Sequence, residues 1–181
     1  MIKKTFFVIG FFFLGLVGQC QLNDLKIEKR WIDLGIGFYS APTHTQGINF
    51  SLGANLIHNR TLGRLKTTYY KPIGTKSNSP KEQYYSVGIL IGREFLGEHI
   101  LLSGGLGLFG GSSTHESIIY DEGSISSSSK SMFFSPSIPL EIDFMVKPLS
   151  FMGIGISGFA DLNLIRPIYG VALKLGIGQL R

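Results

Sequence analysis

From Arg30 onward the chain alternates apolar residues with small or polar ones at a period of two, the spacing of strands whose faces meet different surroundings. In "RWIDLGIGFYS", Ile32, Leu34, Ile36 and Phe38 share one face, while Asp33, Gly35 and Gly37 share the other. "INFSLGANLI" repeats the pattern, with Ile48, Phe50, Leu52, Ala54 and Leu56 set against Asn49, Ser51, Gly53 and Asn55. The same test predicts strands over 61–70, 83–95, 99–110, 131–146, 150–161 and 167–180, which makes eight. No segment has a 3.6-residue period, so the predicted class is all-β. Two places resist the pattern. Pro136 and Pro139 cannot donate to a ladder, which predicts an irregular or protruding upper part of their strand. The stretch from His99 to Leu102 is apolar on both faces.

Connection lengths alternate. Short turns around His58–Arg60, at "LGE" and at "KPL" interleave with longer links, among them 71–82 and the Ser-rich 111–131. That is the layout of an up-and-down antiparallel meander with short turns at one end and long loops at the other. Loops 71–82 and 111–131 are expected to be exposed, because their polar side chains have little to bury.

The position of the charges decides what kind of barrel this is. If the more apolar face of each strand points outward, then Asp33, Arg64, Lys66, Glu141, Asp143 and Lys174 fall in mid-strand on the inner face, with Glu94 nearer an end. Three are basic and four acidic, so they can largely neutralise one another. A soluble lipocalin-like binding barrel would hold apolar side chains inside and charges outside. An Arg or Lys on a lipid face costs about 2–4 kcal/mol at mid-bilayer. The pattern therefore predicts an eight-stranded antiparallel transmembrane β-barrel with a polar interior network. Phe38, Tyr39, Tyr69, Tyr70, Tyr84, Tyr85, Phe133, Phe134 and Tyr169 cluster near the strand ends that adjoin the long loops, as an interfacial aromatic girdle would.

Composition supports this reading. The 181 residues suit one domain, and 24 glycines with 16% charged residues favour strands over helices. At the N-terminus "MIKK" precedes a twelve-residue apolar run, Phe6 to Val17, and small residues at Gly18 and Cys20. This reads as a cleaved secretory signal over 1–20, followed by a polar lead-in over 21–29 and a barrel domain over 30–181. Acylation of Cys20 as a lipoprotein would need a small residue before it, and Gln19 is not small. Without Lys3 and Lys4 the net charge of +5 falls to +3, too mild to imply nucleic acid.

Candidate chemistry is sparse. "GLGLFG" and "GIGISG" both have the G-x-G-x-x-G spacing of dinucleotide sites, but both lie inside period-two segments with no strand-to-helix change. His44, His58, His99 and His115 lack partners at metal-ligand spacing. Glu141 and Asp143 share a face like a catalytic pair, yet ion pairing with Lys174, Arg64 or Lys66 explains them better.

The signal segment, the eight alternating segments, "SIPLEIDF" and the closing "GVALKLGIGQLR" resemble the small eight-stranded outer-membrane β-barrel proteins of Gram-negative bacteria. Many of that family end in an aromatic residue, whereas this chain ends Leu180-Arg181. The resemblance implies an outer-membrane location and partners among outer-membrane lipids and lipopolysaccharide, with a protein partner through the long loops. No cofactor, metal, nucleotide or nucleic acid is expected. A barrel of eight strands is filled by its own side chains, so the expected role is structural or surface interaction rather than a diffusion pore. His115 and Ser117 resemble the His-x-Ser pair of barrel enzymes that deacylate lipid A, with Asp121 or Glu122 as the orienting carboxylate; a solvated loop is the preferred reading of that stretch.

Overall fold

A computed structural model describes residues 27–42, 45–73, 81–95, 99–119 and 125–180. They form eight strands: β1 (Lys29–Ser40), β2 (Gln46–His58), β3 (Thr61–Ile73), β4 (Lys81–Phe95), β5 (Ile100–Ile119), β6 (Ile125–Leu149), β7 (Met152–Asn163) and β8 (Ile168–Gln179). Each pairs antiparallel with the next, and β8 pairs with β1 to close a barrel. The signal and the lipidation alternative fall outside the described residues. Of the lead-in, Glu28 donates its backbone N–H to Ile57 O at 2.9 Å, and Lys29 already belongs to β1.

The register sets the shape. Followed around the ring from Lys29, the pairings run through Ile57, Leu62, Gly92, Ser103, Glu141, Phe159 and Gly170 and arrive at Tyr39, ten residues along β1 from the start. With ordinary strand spacings, that stagger over eight strands tilts them by about 40° and gives a radius of about 8 Å. A lumen this narrow lets long side chains from opposite walls meet. At the β2–β3 hairpin Asn59 and Arg60 have φ of 49° and 63°, the two-residue mirror-image turn whose twist matches paired strands.

Burial alternates as the sequence predicts. Along β1, Lys29, Trp31, Asp33, Gly35, Gly37 and Tyr39 are buried, and the residues between them are exposed. "GLGLFG" lies in β5 and "GIGISG" in β7, so both glycine motifs are strand interiors. An added Cβ at Gly53 would lie 3.0 Å from Asp33 Cγ, and one at Gly176 would lie 3.2 Å from Trp31 Cδ1. Glycine there makes room for the large side chain beside it.

Two loop expectations are corrected. The loop expected over 111–131 is mostly sheet: β5 and β6 continue as a hairpin to the pair Ile119–Ile125, leaving 120–124 outside the described residues. Two antiparallel strands satisfy each other's backbone groups without burying side chains, so a polar sequence does not preclude the ladder. Likewise the expected loop 71–82 narrows, with residues 71–73 in β3 and 81–82 in β4. The proline expectation holds: the pairing of β6 with β5 lapses beside Pro139, between Gly104–Leu140 and Gly107–Ser137, before resuming in the same register, and β6 runs on with β5 beyond Ser137, where its pairing with β7 ends. A second irregularity lies between Val146 and Leu149.

Candidate functional site

Among the described residues, chemistry-bearing side chains converge in the lumen, where they fall into successive layers. Nearest the short turns, Glu94 sits between two lysines, with Lys29 Nζ at 3.0 Å from Oε2 and Lys147 Nζ at 3.1 Å from Oε1. Above it Trp31, Ile57, Leu62, Leu101, Met145 and Leu180 form a buried apolar cluster. This explains the doubly apolar start of β5: Leu101 packs inside while Leu102 faces out.

The middle layer contains all six charged residues singled out from the sequence. Arg64 extends across the lumen from β3, placing Nη1 at 2.5 Å from Glu141 Oε2 and Nη2 at 2.7 Å from Asp143 Oδ2, with Asp33 Oδ2 at 3.7 Å. Lys66 Nζ lies 2.7 Å from Glu141 Oε1. Lys174, from β8, reaches the same oxygen at 2.6 Å and Asp143 Oδ1 at 2.9 Å. Ser157 donates to Glu141 Oε1 at 2.7 Å. Asn55 donates to Asp33 Oδ2 at 2.6 Å and accepts from Arg64 Nε at 2.5 Å. Three cations thus face three carboxylates, and Glu94 belongs to the separate layer below. Glu141 is the hub because the stagger brings it to the height of Arg64 and Lys66, three strands round the ring on β3, with β8 within reach.

Toward the long connections the lumen becomes aromatic. Tyr39, Tyr70, Tyr84, Phe109 and Phe159 are buried together, with Phe133 packed against them. Tyr39 and Tyr70 meet edge to face at 5.2 Å, Tyr84 stacks on Phe109 at 5.7 Å, and Lys66 Nζ lies 5.3 Å from the Phe159 ring centre. The expected outer girdle is corrected accordingly. Phe38, Tyr85, Phe134 and Tyr169 face outward, but Tyr39, Tyr70 and Tyr84 face in. Adjacent aromatics on a strand must take opposite faces.

Over this layer Arg166 spans the mouth from the β7–β8 connection to β4, on the far wall. Its guanidinium pairs with Glu82 at 2.6 Å, contacts Tyr84 OH and lies 5.1 Å from the Tyr84 ring centre. Asn163 Oδ1 accepts from Ile165 N and Arg166 N, and its Nδ2 donates to Arg166 O at 2.8 Å, fixing the approach. Arg166→Ala is expected to cost about 1 kcal/mol, from a partly exposed ion pair plus a cation–π contact. Urea unfolding of the variant measures it.

His99 Nδ1 lies 3.1 Å from Met145 O, and among the described residues no group of His, Cys, Asp and Glu is placed to hold a metal ion. Backbone pairing sets His115 opposite Ser129 and Ser117 opposite Ser127; their side chains, and Asp121 and Glu122, lie outside the described residues.

A scan against protein-family models finds no match, and a search of curated proteins finds none either. Solved structures do match. Neisserial surface protein A covers 82% of this chain and 95% of its own, at 13% identity and a TM-score of 0.52. The attachment invasion locus protein Ail of Yersinia pestis covers 84% and 98%, at 17% identity and a TM-score of 0.54. Both are eight-stranded outer-membrane barrels of Gram-negative bacteria. The fold is the small outer-membrane β-barrel. At these identities the likeness is one of fold, and the barrel's lumen has to be read from its own residues.

Proposed function

We propose that the chain is an outer-membrane barrel of structural or surface-interaction role, exported through a cleaved N-terminal signal. Its lumen is closed by its own side chains, and its longer connections face the cell surface. The observation that carries this reading is the inversion of faces. Arg64, Glu141, Asp143 and Lys174 are at most 2% exposed, whereas Ile36, Ile89, Ile156 and Leu173 are at least half exposed. Water would penalise that outer surface, and hydrocarbon would penalise the reverse arrangement. A soluble lipocalin-like barrel needs apolar residues inside and is disfavoured on the same ground. Outer-membrane lipids and lipopolysaccharide are the proposed surroundings, and the long connections are the surface for a protein partner. No catalytic role is assigned.

Membrane fractionation tests the proposal. The protein is expected in the outer membrane, migrating at different apparent masses with and without boiling, because a closed ladder has no free edge from which detergent can unzip it. Release with soluble periplasmic contents overturns the reading. Protease added to whole cells is expected to cut first within 111–131, and first cuts near His58 or Lys147 would reverse the orientation.

A further inference from the structure

The apolar outer surface is not equally tall around the barrel. On β1 the outward row from Ile32 to Phe38 covers about 15 Å along the axis, and on β8 the row from Tyr169 to Ile177 about 20 Å. On β6 the row from Val146 to Met132 continues through Phe144, Ile142, Leu140, Ile138, Pro136 and Phe134 without a polar residue, and all are exposed. At the same tilt it covers about 35 Å, against an apolar band of about 25 Å for barrels of this kind.

The excess lies at the long-connection end. There Met132 pairs with Ser112 and Phe134 with Gly110, so β5 offers no comparable side chain. β7 ends at Asn163 beside Ser137, and the chain then displays Leu164 and Ile165 at 92% and 50% exposure, while Phe134, three residues from Ser137 on β6, is 79% exposed. These side chains are held in place. Asn163 and the Arg166–Glu82 pair fix the connection, and Phe134 lies over Gly110, where an added Cβ would be 2.8 Å from the ring.

Resting on the membrane reading above, we propose that the β6–β7 flank carries lipid acyl chains about 10 Å higher than the rest of the circumference, with Met132, Phe134, Leu164 and Ile165 inside hydrocarbon. Continuity selects lipid as the occupant. The patch is the unbroken upward extension of the lipid-facing row, convex like the rest of the wall, with no polar side chain in the outward row between Val146 and Met132 to mark where a protein contact would begin. Either the barrel leans toward this flank or the leaflet rises to meet it, and both bring acyl chains to Phe134.

Nitroxide accessibility tests this. In the full chain Cys20→Ser removes the single cysteine. Single cysteines then replace Phe134, Leu164, Ile36 or Gln83, are spin-labelled, and the protein is refolded into lipid vesicles, with the boiling shift as the check on folding. Labels at 134 and 164 are expected to match 36 in favouring oxygen over a water-soluble nickel chelate by several-fold, while 83 favours the chelate. If 134 and 164 behave like 83 while 36 reports hydrocarbon, the proposal fails and the membrane reading stands. Dipolar broadening at 134 with exclusion of both relaxants would instead place a second copy on the flank and overturn the lipid assignment. A chelate-accessible label at 36 would sink the membrane reading itself.

Discussion

Glu141→Leu is expected to be the most damaging single change inside the barrel. Its carboxylate is shared by Arg64, Lys66 and Lys174 and accepts from Ser157. Leucine leaves three cations to divide Asp33, Asp143 and the buried Asp161 that shares a cavity lining with Lys66, and Lys66 loses the carboxylate it pairs with. Breaking a buried ion pair from one side costs about 3–5 kcal/mol, because the surviving charge stays desolvated. Adding Lys66→Met should return much of that loss, since Arg64 and Lys174 then balance Asp33 and Asp143 at the contacts they already make. Lys174→Leu should be gentler than Glu141→Leu, because Glu141 keeps Arg64 and Lys66, and Asp143 keeps Arg64. Combining Lys174→Leu with Glu141→Leu offers no such rescue, because Lys66 is still stranded. Urea unfolding in lipid vesicles, followed by the boiling shift, measures each variant. A Lys66→Met, Glu141→Leu double no better than Glu141→Leu alone would show that charge balance is not what holds this layer.

The second large effect is on the opposite face. Leu173 is 61% exposed and pairs in register with Ile36 and Ile156, which are also exposed. Leu173→Arg should cost about 2–4 kcal/mol in a bilayer if the site is near the midplane. A water-soluble barrel with these same faces would leave the arginine in solvent, where surface changes usually stay within about 0.5 kcal/mol. Gln179→Arg, on the same strand at the short-turn rim, controls for charge alone and should be nearly silent. Equal stability of both variants in vesicles would refute a hydrocarbon environment for Leu173.

The strand faces were legible in the sequence because burial on one side imposes period two. Asp33, Arg64, Lys66, Glu141, Asp143 and Lys174 could therefore be placed on one face without knowing the fold. Their partners could not. Arg64 and Glu141 are 77 positions apart, and the stagger of the closed ladder, which no local pattern encodes, is what brings them together. Lys29 and Lys147 were missed around Glu94 because they sit near strand ends, where a lysine reads as a terminal charge. The inward tyrosines had a usable signal that the girdle reading passed over. Phe38-Tyr39, Tyr69-Tyr70, Tyr84-Tyr85 and Phe133-Phe134 are neighbouring pairs, so each must send one ring inside. The 111–131 hairpin was hidden for the opposite reason: its sequence, rich in serine, shows no apolar alternation, and the backbone pairing of a ladder does not require one.

The layered lumen has a consequence for anyone trying to turn this barrel into a channel. On the closed-lumen reading proposed above, the Glu94 lysine pair, the apolar cluster, the central ion-paired layer and the aromatic rings act like resistors in series, so total resistance follows the largest one remaining. Arg64→Ala takes bulk from the middle element and should still leave current near zero, because Trp31 and Leu101 fill the lumen below and Tyr70 and Phe109 above. Conductance in planar bilayers should therefore appear as a threshold, silent for truncations within one layer and rising steeply only when every layer has lost bulk.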